Sequence, residues 1–348
     1  MGNLAEPLEV GVVGLGYWGP NRLRALNELV GVHAGAICDT SAERLELAGR
    51  RHPGARRYED FDAILEDPGL DAVIIATPAD SHFELASKAL RAGKHTFVEK
   101  PLCASSGEAV ELAALAEEVG LTLMCGHTFV YSPPVRAVKA LIDSGELGEL
   151  YFISSSRVNL GPYRSDVSVV WDLAPHDLSI LLYWLDRSPA SVSAVGRDVI
   201  SPGTEDVAFV DLVYDDGLLA HLELSWLAPS KLRRTVVVGS EKMVVYEDGS
   251  HEPVRIFDSG IDYQDPKTFG EYQLSYRSGD ILSPRVETTE PIVAELDDFF
   301  DAVRTGAAPE SRAGLAIEVI RLVEATQESI QAGGDRVAIE TAPGARRG

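Results

Sequence analysis

Cysteine is scarce in this chain. Cys38, Cys103 and Cys125 are odd in number and form no Cys-x-x-Cys pair. They support neither a disulfide framework nor a cysteine-rich zinc site, and a reducing compartment fits. Lysine is scarce too, at seven of the 31 basic residues, which face 54 acidic ones. The resulting formal charge of -23 is spread along the sequence and not gathered in a tail. A field of that sign repels nucleic acid and anionic lipid surfaces, so an anionic ligand has to be held locally by backbone amides or a few placed Arg and Lys residues. Long apolar runs are also missing, and none approaches the roughly 20 residues that span a bilayer. The opening "MGNLAEPLEV" lacks a basic segment before an apolar one, and Glu6 stands where a myristoylation signal has Ser or Thr. The expected location is cytoplasmic, without nucleic-acid or membrane partners.

What is present suits a globular protein. Hydrophobic residues make up 45% and charged residues 24% of 348 positions, a length that predicts two domains. In the first third, apolar runs ("LEVGVVGLG", "VHAGAICD", "DAVIIAT", "HTFVEK", "LTLMCGHTF") alternate with segments of helical spacing. That βαβ rhythm predicts a doubly wound parallel sheet, a Rossmann domain over 1–129. Ser81 and Glu84 read as a capping box, and Gly93 and Gly120 as helix stops. From 130 to 340 the pattern becomes α+β. A helix in "PPVRAVKALIDSG" leads to the strand "ELYFISSSRVN", a polar stretch and the apolar helix of "WDLAPHDLSILLYWLD". Strand patterns follow, and Leu218, Ala220, Leu222, Leu224 and Trp226 alternate with polar residues as in a sheet with one dry face. Asp216-Gly217 reads as a hairpin turn. This predicts a large, mostly antiparallel sheet, two closing helices at about 291–305 and 312–332, a last strand in "DRVAIE" and a flexible tail over 341–348.

Gly14-Leu15-Gly16-Tyr17-Trp18-Gly19 is a GxGxxG between an apolar strand and a helix, and Asp39 stands twenty residues after Gly19 at the end of the next strand. The glycines permit a tight turn and close approach of backbone to a pyrophosphate, and the carboxylate accepts from ribose hydroxyls. A plain glycine turn would not need Asp39 at that spacing. A carboxylate there repels a 2'-phosphate, so NAD is favoured over NADP, with Arg44 as the residue able to reach a phosphate or stack on adenine.

Together with "ATPADSH" (76–82), "VEKP" (98–101) and "WDLAPHD" (171–177), this fingerprint resembles the Gfo/Idh/MocA oxidoreductases, which include glucose-fructose oxidoreductase and inositol dehydrogenases. The resemblance covers nearly the whole chain. It implies a Rossmann domain followed by a domain with a large open sheet, assembled as a homodimer or homotetramer. It further implies Lys100 beside the nicotinamide and the substrate hydroxyl, Asp172 and His176 completing the catalytic set, and a cis peptide before Pro101. Thr77, Pro78, His82 and Glu99 match positions near the cofactor, and Trp18 matches an aromatic position at the nicotinamide end of the pocket.

The residues carry their own reading. Lys100 ends a strand of a parallel sheet, and ligands of open α/β sheets bind beyond the carboxyl ends of the strands. Pro175 is expected in a first helical turn, which puts His176 at a helix N-terminus where the imidazolium is disfavoured. A neutral imidazole can take the proton of an alcohol. Asp172 serves as an N-cap or as the orienting carboxylate, and Asp177 as a first-turn charge. His127, Arg157, Asn159, Tyr163, Arg164 and Asp166 lie near the domain junction or in a polar loop, where both substrate contacts and solvated residues occur. His33 and His95 lie at strand starts and read as structural, and no histidine cluster has metal-ligand spacing. The reading is an NAD-dependent dehydrogenase acting on a secondary hydroxyl of a sugar, polyol or nucleotide-linked sugar, or on the matching ketone. The version "RVNLG...WDLAPHDLS" resembles members of nucleotide-sugar pathways. Two alternatives stay open: an enzyme with tightly bound NAD recycled in a redox-neutral reaction, and a non-catalytic NAD- and sugar-binding regulator.

Overall fold

The computed structural model describes residues 7–161, 167–200, 202–263 and 274–339. By contacts the chain divides into one unit of Met1–Tyr131 with Thr289–Arg321 and another of Ser132–Thr288 with Leu322–Gly348. Thr289–Arg321, expected in the second domain, therefore returns to the first. The reason is apolar: Leu296, Phe299 and Phe300 are fully buried, and Phe299 lies edge-on to Phe97 of the first unit.

The first unit alternates β1 (Leu8–Val13), α1 (Trp18–Leu26), β2 (Val32–Cys38), α2 (Ala42–Arg51), β3 (Arg56–Tyr58), α3 (Phe61–Leu65), β4 (Ala72–Ile75), α4 (His82–Arg91), β5 (His95–Glu99), α5 (Ser106–Val119) and β6 (Leu123–Gly126). Its six strands pair in parallel in the order β3-β2-β1-β4-β5-β6, the doubly wound arrangement expected. All four residues of β4 are fully buried, as an apolar strand covered on both faces should be. The short β3, with two exposed arginines, carries no apolar signal and is an addition to the sequence reading. The expected capping box at Ser81 does not form. Ser81 has helical φ and ψ, caps no amide, and gives its hydroxyl to the Pro78 carbonyl. A serine in that conformation cannot aim its oxygen at the N3 amide. The box motif works instead at α5, where Ser105 accepts from the Glu108 amide and Glu108 accepts from the Ala104 amide. Gly93 and Gly120 take positive φ at helix ends as anticipated.

The second unit opens with α6 (Pro133–Asp143), β7 (Leu150–Leu160) and α7 (Val169–Leu185), followed by strands β8 (Ser191–Arg197), β9 (Val207–Val213), β10 (Leu219–Ser225), β11 (Leu227–Gly239), β12 (Met243–Glu247), β13 (Val254–Tyr263) and β14 (Leu274–Leu282). After α8 (Pro291–Thr305) and α9 (Ala313–Gln331), β15 (Val337–Ala338) completes a nine-stranded sheet in the order β14-β13-β12-β11-β7-β10-β9-β8-β15. Its pairs are antiparallel except for β7 with β10. Leu218, Ala220, Leu222, Leu224 and Trp226 are all buried, as their alternation predicts, and Gly217 takes the positive φ of the turn before them.

Candidate active site

The dinucleotide turn is built by glycines that nothing larger could replace. A side chain on Gly14, whose φ is 86°, would meet the Ala76 carbonyl oxygen at 2.6 Å, and one on Gly19 would meet the Gly14 carbonyl oxygen at 2.0 Å. Gly16 has open space around it, which is what close approach by a pyrophosphate requires. Tyr17 and Trp18 stand exposed beside it, edge to face, at the start of α1. Asp39, just past β2, is buried. Its two oxygens accept from the Leu15 amide at 2.7 Å and the Ser41 amide at 2.8 Å, so the carboxylate is fixed against the turn. Arg44 approaches it at 3.7 Å from an exposed position. A glycine cradle with an oriented carboxylate one strand away fits the adenosine and pyrophosphate portions of NAD.

The other expected residues of this unit follow successive parallel strands, so they share the carboxyl edge of the sheet. Thr77 and Pro78 follow β4, Lys100 follows β5, and His127 follows β6. Thr77 shares a hydrogen bond of 2.8 Å with Ser81. His82, read as a cofactor contact, is buried with its two ring nitrogens at 2.7 Å from the Pro101 carbonyl and 2.9 Å from that of Thr77. It ties the loop after β4 to the loop after β5, and the Lys100–Pro101 bond between β5 and that loop is cis. His127 is buried, and neither of its ring nitrogens has a hydrogen-bond partner among the described residues. Burial, with the nearby Lys100 charge adding to it, pushes this imidazole down to about 3. It is therefore a neutral ring beside a cation. Glu99 is buried, and one of its carboxylate oxygens receives Arg22 Nε at 2.6 Å.

In the second unit the helix differs from the sequence reading. α7 starts at Val169, so Pro175 lies inside it and His176 in its middle. The apolar Val169, Val170 and Trp171 extend the helix by two turns before the proline, which removes one main-chain donor without ending it. His176 therefore does not sit at a helix N-terminus, and no helix-end field acts on its ring. Asp172 occupies the first turn and accepts from Trp226 Nε1 at 3.2 Å. Asp177 is buried mid-helix and not a first-turn charge. Its carboxylate receives Ser155 Oγ at 2.9 Å and two nitrogens of Arg157 at 2.5 and 3.3 Å. Arg157 is thus a buried strut in β7 and not a loop contact, and Asn159 is half-buried near the end of the same strand. Tyr163, Arg164 and Asp166 lie outside the described residues.

Sequence reasoning missed Arg22, Trp226 and Glu295. Arg22 is fully buried and bridges Glu99 and Glu295, each at 2.6 Å. Burial opposes its charge, but the two carboxylates outweigh that and raise it. Burial pushes Glu295 up to about 7, with Arg22 opposing and Glu99 reinforcing the rise.

Comparison with known proteins agrees with this geometry. Residues 8–127 match the GFO/IDH/MocA oxidoreductase family with its NAD-binding Rossmann fold, and residues 135–245 match the C-terminal domain of the same family. The chain is 31% identical over 231 residues to the UDP-N-acetylglucosamine 3-dehydrogenase of Acidithiobacillus ferrooxidans, covering 65% of this chain and 70% of that one. It is 29% identical over 313 residues to the scyllo-inositol 2-dehydrogenase (NAD(+)) of Bacillus subtilis, covering 86% of each. Among solved structures it is similar to GenD2 from gentamicin A biosynthesis in complex with NAD, with a TM-score of 0.81, 25% identity and 98% of both chains covered. The chain belongs to the GFO/IDH/MocA family of NAD-binding oxidoreductases, whose members act on CH-OH groups.

Proposed function

We propose that the protein is an NAD-dependent dehydrogenase that oxidises a secondary hydroxyl of a sugar, a polyol or a nucleotide-linked sugar, or reduces the matching ketone. The observation that carries this reading is Lys100 at the carboxyl end of β5, in the same unit as the dinucleotide turn and beside the neutral ring of His127. NAD, when bound, supplies the acceptor for the hydride.

The residues do the rest. The Lys100 ammonium donates to the hydroxyl oxygen and stabilises the negative charge that develops on it. His176 takes the hydroxyl proton, and Asp172, itself oriented by Trp226, orients His176. Asp39 disfavours a 2'-phosphate, while Gly14, Gly16 and Gly19 admit the pyrophosphate. His127, Asn159 and Trp18 are assigned to substrate, and a hydroxyl there would satisfy the buried imidazole. The polyol and nucleotide-sugar classes are supported by the names of the relatives. The exposed Phe152, Phe209 and Leu219 of the large sheet support a homodimer or homotetramer.

The test is nicotinamide absorbance with NAD and with NADP against polyols, aldoses and nucleotide sugars. Turnover is expected with NAD and one of these classes. Lys100→Ala and His176→Ala are each expected to lose about 100-fold or more in kcat while binding NAD. Near-normal turnover in either variant overturns the assignment.

A further inference from the structure

A single buried cation in the first unit serves two carboxylates. Arg22 and Glu295 have no exposed side-chain surface and Glu99 has 7%. The guanidinium also lies over the Phe97 ring, 4.5 Å from its centroid. Thr128 donates to the Glu295 oxygen that Arg22 holds, at 2.9 Å. Stability is a poor reason for such a cluster. Removing each ion from water costs several kcal/mol, and apolar side chains of the same volume commonly do as well. Its placement supplies a better reason. Glu99 immediately precedes Lys100, Arg22 lies one turn into the helix that follows the dinucleotide turn, and Glu295 comes from α8.

We propose that Glu295 is a positioning residue for the reaction at Lys100: through Arg22 and Glu99 it fixes the end of β5 against the start of α1. The inference rests on the role given to Lys100 above. The groups facing the Glu295 carboxyl are Arg22 from α1, Glu99 from β5, Cys125 from β6, and Thr128 and Tyr131 from the short turn after β6, and Asp298 of α8 accepts from that Tyr131 hydroxyl. When Glu295 is protonated, Arg22 balances Glu99. When the proton leaves, one guanidinium is divided between two carboxylates and the cluster carries excess negative charge. The ionised form, in which Arg22 is held from both sides, is the one that fixes Lys100, so kcat falls as Glu295 takes up its proton.

The experiment uses Glu295→Gln, which keeps the shape and the Arg22 contact but cannot ionise. With NAD saturating, kcat is expected to fall about tenfold at the pH optimum, with KM for the sugar little changed. The wild-type kcat profile is expected to show an inflection near neutral pH that Glu295→Gln lacks. In cofactor-free protein, acylation of Lys100 by acetic anhydride, mapped by mass spectrometry, is expected to shift to lower pH by about half a unit as a nearby negative charge is removed. If Glu295→Gln does not fold, Glu295→Asp, which withdraws the carboxylate by one methylene, carries the same expectation for kcat. A folded, NAD-binding variant with wild-type kcat and a wild-type Lys100 acylation profile overturns the proposal. An inactive Lys100→Ala beside that result confines the failure to Glu295. An active Lys100→Ala overturns the functional reading and this inference with it.

Discussion

Trp226 holds Asp172 by one indole hydrogen bond of 3.2 Å within the second unit. Trp226→Phe keeps an aromatic ring and removes only the donor. Steady-state kinetics are expected to show kcat reduced about five- to tenfold, the equivalent of a bond to a charged group worth roughly 1–1.5 kcal/mol, with the thermal midpoint little changed. Such contacts separate the legible residues from the illegible ones. Gly14, Gly19 and Asp39 were legible because their physical tasks lie within one βαβ unit, at fixed spacing. Glu295 was not, since its partner Arg22 is 273 positions away and nothing local to either residue announces the pair. Arg157 was misplaced because an arginine next to a polar stretch looks the same whether it meets a substrate or, as here, a buried Asp177 on a neighbouring helix.

Among elements, α7 shows how sequence misleads. Pro175 looks like a helix start, yet two turns precede it, and the burial of Val169, Val170 and Ala174 offsets the lost hydrogen bond. The parallel strands other than β3 were readable because each is a short apolar run. β13 and β14 were not, because "VRIFDSGIDY" and "LSYRSGDIL" interrupt their apolar residues with Asp, Gly and Ser. Within the second unit, α7 is clamped to β7 by Arg157 and Asp177. Arg157→Met leaves that carboxylate buried without its cation, and urea melts are expected to show a loss of about 3–5 kcal/mol. α8 contributes a pH dependence of its own. Glu295 is raised from 4.5 to about 7, so its contribution to stability is fully present below pH 4.5 and is lost as pH rises through 7. Glu295→Gln is expected to flatten that decline in melts taken across this range. His127 works in the opposite sense. It is lowered from 6.5 to about 3, so its contribution holds above pH 6.5 and is lost as pH falls toward 3.

For the whole molecule, the formal charge of -23 opposes every anion that approaches. With a nucleotide sugar as substrate, kcat/KM is expected to rise between low and moderate ionic strength as this repulsion is screened, while a neutral polyol shows little change. Stopped-flow or initial-rate measurements across a salt series with saturating NAD check this, and equal responses from both substrates would contradict it. Two-domain organisation was legible in the change of rhythm near residue 130, but the return of Thr289–Arg321 to the first unit was not, since an amphipathic helix does not state which sheet it will cover. That return bears on the order in which the molecule is made. A ribosome that has delivered residues 1–131 has produced every strand of the parallel sheet, but neither Phe299 for Phe97 nor Glu295 for Arg22. Until the strands through β14 have been synthesised, Arg22 has Glu99 but not its second carboxylate, and Phe97 lacks its aromatic partner. The residues whose contacts complete the first unit are thus the last of that unit to be translated, although its strands are encoded first.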